Sequence, residues 1–278
     1  MISDLLRLPA GPVDLASIDT AGKPGFKGGK DDAEKALPAL GPEVADLQEK
    51  LFAAGYTGSD KRLLIVLQGM DTSGKGGIVR HAVGLLDPGG LRLKSFKKPT
   101  EDELAHDFLW RVERELPGPG EIAIFDRSQY EDVLVGKVLE LADPDEIERR
   151  YDAINAFEQR VADDGAVIIK CMLHMSRAEQ RTRLLARLDE PSKQWKFMPE
   201  DIDARTLWNQ YQAAYETALE RCNTEAAPWY VIPSDRKWYR NWAIGELLRE
   251  ALQGMDLDWP TPSYDVAEQR SRLEHEGA

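Results

Sequence analysis

The sequence predicts an α/β protein built on a five-stranded parallel sheet with helices on both faces. Three observations carry this expectation. Short apolar runs of strand length alternate with helical segments over residues 59–255, the order produced by strand–helix–strand crossovers. The leading run, Arg62–Gln68 (RLLIVLQ), is continuously apolar inside, as a strand covered on both faces requires. A glycine-rich turn follows that run, and a carboxylate, Asp126, ends a later one.

The elements follow in order. Residues 1–58 are punctuated by Gly11-Pro12, Lys23-Pro24-Gly25, Gly28-Gly29 and Gly41-Pro42. They read as an extended arm with one helix, about Pro42–Ala54, expected to pack against a neighbouring subunit. Arg62–Gln68 is the first strand, with a helix from about Lys75 to Leu86 behind it. Leu91–Phe96 is the second. Thr100 with Glu103 three residues on forms a capping box that opens a helix reaching about Leu116, where Pro117-Gly118-Pro119-Gly120 stops it. Glu121–Phe125 is the third strand, followed by helices near Tyr130–Leu141 and Pro144–Asp163. Ala166–Leu173 is the fourth, and Ser176 with Glu179 caps a helix running through Leu188. Pro199 in a first turn starts a helix expected to continue to about Cys222. Trp229–Ile232 is the fifth strand, closed by a helix near Lys237–Leu252. The expected organisation is an N-terminal extension at 1–58, a core at 59–255 with a lid near 183–198, and a polar tail at 256–278.

Composition narrows the function. The 278 residues carry 36 Lys and Arg against 49 Asp and Glu, a net charge of −13. An acidic chain is a poor general partner for nucleic acid, whose phosphates need a basic surface. The longest purely aliphatic run, Leu63–Leu67, is far too short to cross a bilayer, and residues 1–30 lack the apolar block of a secretory signal. Cys171 and Cys222 are too few for a disulfide framework or a Cys-rich metal site, and both are expected reduced in a core. His81, His106, His174 and His275 show no paired ligand spacing. The expectation is a cytoplasmic protein without nucleic-acid or membrane partners.

Gly69-Met70-Asp71-Thr72-Ser73-Gly74-Lys75 fits Gly-x-x-x-x-Gly-Lys between a strand and a helix, the context in which that pattern cradles phosphate. Its glycines let backbone N–H groups converge on phosphate oxygens. Lys75 adds a point charge where charge builds on a transferred phosphoryl group. Position 76 is Gly, where the usual loop has the Ser or Thr whose hydroxyl holds Mg²⁺. Asp71, inside the loop, is the candidate replacement, since a carboxylate beside phosphate is repelled unless a cation intervenes. The third strand runs into Asp126-Arg127-Ser128. A carboxylate at the carboxyl edge of a parallel sheet is placed to hold Mg²⁺, and Arg127 can fork onto phosphate oxygens.

Positive charge is concentrated against the overall sign. Arg177, Arg181, Arg183, Arg187, Lys193 and Lys196 face three acids, Glu179, Asp189 and Glu190, over 177–196, and Arg92, Lys94, Lys97 and Lys98 have no acid among them. Arg183 and Arg187 share a helix face, and 189–198 separates two helices as a lid does. The two segments suit a channel for a polyanion. Trp208, Tyr211 and Tyr215 recur at the spacing of a core stripe. Trp229, Trp238 and Trp242 are likewise expected in the core. So are His106 and Trp110, four apart, although that pair has the alternative of approaching a nucleotide base.

Together the phosphate loop through Gly77, the segment Phe125-Asp126-Arg127-Ser128-Gln129-Tyr130-Glu131-Asp132, the stretch from Arg187 to Lys196 (RLDEPSKQWK), Lys98-Pro99-Thr100 and Pro228–Pro233 resemble the polyphosphate kinase 2 family. The resemblance covers about Val44 to Leu252, and Gly76 is shared with it. It implies a P-loop kinase-like three-layer fold with a helical lid. It also implies Mg²⁺-dependent, reversible phosphoryl transfer between inorganic polyphosphate and AMP, ADP and ATP by a dimer or tetramer. Carried onto this chain, Asp71 and Asp126 are the acids near the metal, and Lys75 and Arg127 hold the phosphates in transfer. Gly69, Thr72, Ser73, Gly74 and Gly76, with Lys98, contact phosphate or nucleotide, and Arg183, Arg187, Lys193 and Lys196 belong to the lid and polyphosphate path. The Tyr130-Glu131-Asp132 variant is similar to the branch accepting both AMP and ADP, with Glu131 in selection. Gln129 stands where relatives are expected to carry an aromatic residue or His. Two other functions use the same core: an ATP-dependent nucleoside monophosphate kinase, and a non-catalytic nucleotide-binding protein. The basic segments favour a chain-like donor over ATP, and the joint presence of Asp71, Lys75, Asp126 and the lid bases favours turnover.

Overall fold

The structure, a computed structural model, describes residues 1–276. Five strands, β1 (Arg62–Gln68), β2 (Leu91–Ser95), β3 (Ile122–Asp126), β4 (Ala166–His174) and β5 (Trp229–Pro233), form one sheet in the order β2-β3-β1-β4-β5. Every pairing is parallel. Alternation along β1 explains both layers at once. Leu64 and Val66 enter one apolar core, Leu63, Ile65 and Leu67 the other, which is why the run had to be apolar throughout.

Among the described residues the chain forms thirteen α-helices: α1 (Ile2–Leu6), α2 (Lys30–Ala39), α3 (Gly41–Tyr56), α4 (Lys75–His81), α5 (Glu101–Leu104), α6 (Trp110–Glu113), α7 (Glu131–Val138), α8 (Pro144–Asp163), α9 (Arg177–Asp189), α10 (Glu200–Thr206), α11 (Trp208–Arg221), α12 (Lys237–Gly254) and α13 (Val266–Glu274). Side chains of α3, α4 and α12 fill one core with the odd-numbered face of β1, and those of α7, α8 and α11 fill the other.

Three expected helices are broken. The one after the phosphate loop ends at His81 and tightens into a 3-10 turn at Val83–Leu85. The one opened by Thr100 does form its capping box, with Thr100 Oγ1 accepting from Glu103 N–H, but α5 is a single turn. Asp107 Oδ1 then accepts the Leu109 N–H and starts α6. His106 and Trp110 stack on each other with ring centroids 4.0 Å apart, but His106 is exposed and the pair is not core. The helix begun near Pro199 divides at Leu207 into α10 and α11. There Arg205 donates to the Arg177 carbonyl and the Gln180 side chain, tying the end of α10 to α9.

Residues 1–58 hold three helices rather than one. The glycine and proline clusters mark the ends of packed segments. Ile2, Leu6, Leu15, Leu37, Val44 and Leu51 are buried in the chain's own core, so their apolar side chains need no neighbouring subunit to cover them. Glu250 of α12 accepts the Ile2 and Ser3 N–H groups at 2.6 and 3.0 Å, satisfying orphan donors of α1. The C-terminal segment carries α13, whose side chains are largely exposed. Its last two residues lie outside the described ones.

A charged cluster sits in the β4 side of one core. Lys170, fully buried, donates to Glu158 Oε2 (2.6 Å), Tyr130 Oη (2.7 Å) and the Cys222 carbonyl (2.6 Å). Glu158 Oε1 accepts from Tyr130 Oη and Gln129 Nε2 at 2.8 and 2.9 Å. Burial pushes the Glu158 carboxyl up and the Lys170 ammonium down, and their pairing opposes both shifts. The cluster holds Gln129 and Tyr130 immediately before α7. Replacing Lys170→Met leaves Glu158 unpaired and is expected to cost about 3–5 kcal/mol in urea unfolding. The double variant Lys170→Met with Glu158→Gln is expected to recover much of that loss. A Lys170→Met protein as stable as the wild type contradicts this account.

Candidate active site

The phosphate loop leaves the carboxyl end of β1 at the middle of the sheet. The register pairs Leu67 with Asp126 across β1 and β3, so the loop and Asp126-Arg127 emerge side by side. Arg127 adopts a left-handed backbone, φ 65°, rare for a side chain of its size. Its N–H donates to the Leu67 carbonyl at 3.0 Å, and its Nη2 reaches Asp71 Oδ1 at 2.9 Å. Thr72, φ 68°, is a second non-glycine residue in this region. Non-glycine strain of this kind persists where the surroundings over-determine the backbone.

Within the loop every carbonyl from residue 69 to 74 has a donor. Lys75 Nζ takes Gly69 O at 2.7 Å, the Ser73 N–H takes Met70 O at 3.0 Å, and Gln180 Nε2 takes Asp71 O at 3.1 Å. Arg183 Nη1 takes Thr72 O and Ser73 O at 2.9 and 3.1 Å, and the Gly77 and Ile78 N–H groups take Gly74 O. No acceptor among the described residues binds the N–H groups of Thr72, Gly74, Lys75 or Gly76. Carbonyls engaged and amides unengaged is the polarity of an anion cradle. Gly69 is required by crowding, since a Cβ there would lie 2.8 Å from Ser73 Oγ and 2.9 Å from Leu173 O. Gly76 has nothing within 4 Å of a Cβ, so its departure from Ser or Thr is not forced by space.

The charges here are strongly coupled. Burial pushes the Asp71 carboxyl up, but Lys75 and Arg127 outweigh it and hold it below the ordinary carboxylate range. Burial lowers the Lys75 ammonium against the pull of Asp71 and Asp126. Burial likewise lowers Arg127, but Glu131, Asp71 and Asp126 more than reverse this. Glu131, 4.0 Å from Arg127, is pushed up by burial. Asp71, Arg127, Glu131, Leu134 and Tyr211 line a cavity of about 130 Å³, smaller than a nucleotide needs. Ala204 of α10 closes part of its wall.

The lid-side bases are placed unequally. Arg183 is buried and does not face the open side. It donates to Glu179, Thr72 O, Ser73 O, Ser234 O and Asp235 O, stapling the loop to the exit of β5. Arg187 pairs with Asp201 of α10 at 3.3 Å, and Lys193 with Glu190 at 2.6 Å. Lys196 is exposed beside the Trp195 ring. In the second basic stretch, Arg92 pairs with Glu121 and Lys94 with Glu115, which leaves Lys97 and Lys98 as its exposed bases without ion pairs among the described residues. Arg111 donates to the Lys97 carbonyl at 2.8 Å and pairs with Asp132 at 3.4 Å, tying that stretch to the start of α7. Gln129 points away from the cavity, into the Glu158–Lys170 cluster.

Sequence reasoning missed Gln180 and Arg240, which hold loop carbonyls from α9 and α12. It also assigned Tyr211 and Tyr215 wholly to the core, whereas both line the cavity. Their helical stripe signals burial and says nothing about what lies across from it. Among the described residues no three Cys, His, Asp or Glu side chains cluster to cage an ion. Two hard carboxylates, Asp71 and Asp126, act on Lys75 from the loop and from β3. That donor set fits Mg²⁺, which is ordinarily held by one or two carboxylates together with phosphate oxygens.

Comparison with known proteins agrees with this geometry. The sequence model of the polyphosphate kinase 2 family matches residues 27–259. An AMP/ADP-polyphosphate phosphotransferase of Meiothermus ruber is 45% identical over 254 residues, which is 91% of this chain and 94% of that protein. An ADP-polyphosphate phosphotransferase of Rhodopseudomonas palustris is 35% identical over 264 residues, 89% of this chain and 88% of that protein. The crystal structure of polyphosphate kinase 2 from Arthrobacter aurescens superimposes with a TM-score of 0.95 at 49% identity, covering 98% of this chain and 96% of that one. A phosphate cradle at the sheet edge, two carboxylates beside it and likeness along nearly the whole length lead to one conclusion: the chain belongs to the polyphosphate kinase 2 family.

Proposed function

We propose that this protein transfers phosphoryl groups reversibly between inorganic polyphosphate and adenine nucleotides, taking AMP to ADP and ADP to ATP, with Mg²⁺. The observation that carries the reading is the near-full-length likeness to the Meiothermus ruber AMP/ADP-polyphosphate phosphotransferase. The cradle of residues 69–76 supports it independently as a site for a phosphate chain.

The acceptor is a nucleotide phosphate, whose second pKa of about 6 leaves it ionised at neutral pH. Its oxygen bonds to the terminal phosphorus of the donor as the bond to the next phosphate breaks, and no general base is needed to strip a proton. This chain's part is then to align two anions and to offset the charge that spreads between them. The Thr72, Gly74, Lys75 and Gly76 N–H groups donate to phosphate oxygens. Lys75 keeps one N–H on the Gly69 carbonyl and turns another to an oxygen of the transferring group. Arg127, now on Asp71, turns its free N–H groups to the same group while Glu131 keeps it aimed. Asp71 and Asp126 would hold Mg²⁺, which would supply the positive charge that neutralises the phosphate oxygens. Lys98, Arg187, Lys193 and Lys196 steer the polyphosphate, whereas Arg183 works by holding the loop. A nucleotide enters as α10 and the segment of residues 190–199 move outward, which breaks the Arg187–Asp201 pair. Homo-oligomerisation and a cytoplasmic location are part of the same proposal.

Chromatography of nucleotides after incubation with Mg²⁺, polyphosphate and AMP tests the reading. ADP and then ATP are expected without added ATP. Product from ADP alone removes the dual acceptor, and transfer only from ATP to AMP replaces the reading by a nucleoside monophosphate kinase. Asp126→Asn is expected to lower the rate by at least about a hundredfold at low Mg²⁺ and to recover in part as Mg²⁺ is raised. A loss unaffected by Mg²⁺ contradicts the metal role.

A further inference from the structure

Arg240, on α12, is 3% exposed and lies directly behind the phosphate loop. Its Nη1 donates to Ser73 O at 2.8 Å, and its Nη2 and Nε to Asn241 Oδ1 at 2.8 and 3.3 Å. Arg183 donates to the same Ser73 carbonyl, but Arg183 has Glu179 as an ion-pair partner. Among the described residues Arg240 has none. A fully buried guanidinium is seldom left without an anion. Burial, and then the nearby charge of Arg183, lower Arg240 to about 9, so it stays protonated at neutral pH.

The loop is shaped to admit this group. A Cβ on Gly74 would fall 1.7 Å from Arg240 Nη1, and one on Gly77 would fall 2.8 Å from Nη2. The glycines at 74 and 77 therefore make room for a cation behind the loop. The trans peptide between Ser73 and Gly74 sets the Ser73 C=O and the Gly74 N–H in opposite directions. Two guanidiniums drawing the carbonyl inward thus aim the amide outward.

We propose that Arg240 is a positioning residue for phosphate-chain binding: it fixes the Gly74 N–H toward the bound phosphates, and those phosphates supply the anion its buried charge lacks. The proposal deepens the functional reading above and rests on it for the identity of the chain bound.

Arg240→Met and Arg240→Lys are compared with the wild type for melting temperature, alone and with tripolyphosphate, and for kcat and KM with polyphosphate. Without ligand, Arg240→Met is expected to melt at or near the wild-type temperature, because an uncompensated buried charge has gone and Arg183 still holds Ser73 O. Its stabilisation by tripolyphosphate should fall to less than half, and its KM for polyphosphate should rise about tenfold with a smaller change in kcat. Arg240→Lys keeps the charge without the fork and should lie between. A residue needed only for folding gives the reverse pattern: Arg240→Met melts lower, yet responds to tripolyphosphate as the wild type does. That pattern overturns the proposal. If Arg240→Met does not fold, an undiminished tripolyphosphate response in Arg240→Lys overturns it equally. A wild type that tripolyphosphate does not stabilise also overturns it. A wild type stabilised by tripolyphosphate but unable to transfer phosphate overturns the functional reading alone.

Discussion

The site depends on one constraint: the carbonyl groups of a tight loop must all be occupied from within the protein so that the amides can meet phosphate. Six consecutive carbonyls are held this way, three of them by long side chains from α9 and α12. Each such bond is worth little by itself, of order 1 kcal/mol for neutral partners and somewhat more for charged donors. Their collective effect is orientation. A loop with a single carbonyl turned outward would present a negative dipole to an anion and lose both geometry and electrostatics at once.

The same constraint reconciles an acidic protein with an anionic substrate. Net charge is −13, yet Lys75, Arg183 and Arg240 bring three cations behind or within the loop, all of them largely buried. Exposed charges act through water and are screened within about 8–10 Å, whereas buried ones are screened much less. Acidic residues elsewhere on the surface therefore do little to the potential inside the cradle. Part of the basic sequence that suggests a polyanion channel is spent otherwise, in the pairs Arg92–Glu121 and Lys94–Glu115 and in the Arg183 staple.

Much of the fold was legible because its signals are local. The apolar run of β1, the breaks around residues 117–120 and the caps at Thr100 and Ser176 each depend on a few adjacent residues, and the five strands follow from them. The phosphate loop and Asp126 were legible for the same reason, since strand-to-loop placement puts both at one sheet edge. What could not be read locally is what arrives from far along the chain. Gln180 and Arg240 reach the loop from more than a hundred residues away, and nothing in their own surroundings distinguishes them from surface polar residues. The N-terminal segment was misjudged on similar grounds. Its glycines and prolines report turns, while its burial depends on grooves offered by α12 and β5.

The most direct test of this account is nuclear magnetic resonance of the uniformly ¹⁵N-labelled protein titrated with tripolyphosphate. The amide protons of Thr72, Gly74, Lys75 and Gly76 should move downfield as they donate to phosphate oxygens, while those of Ser73 and Gly77, already bonded to the Met70 and Gly74 carbonyls, should move less. Shifts confined to Arg92–Lys98 and the lid, with the loop amides unmoved, would contradict the claim that the inward-held carbonyls build the phosphate site.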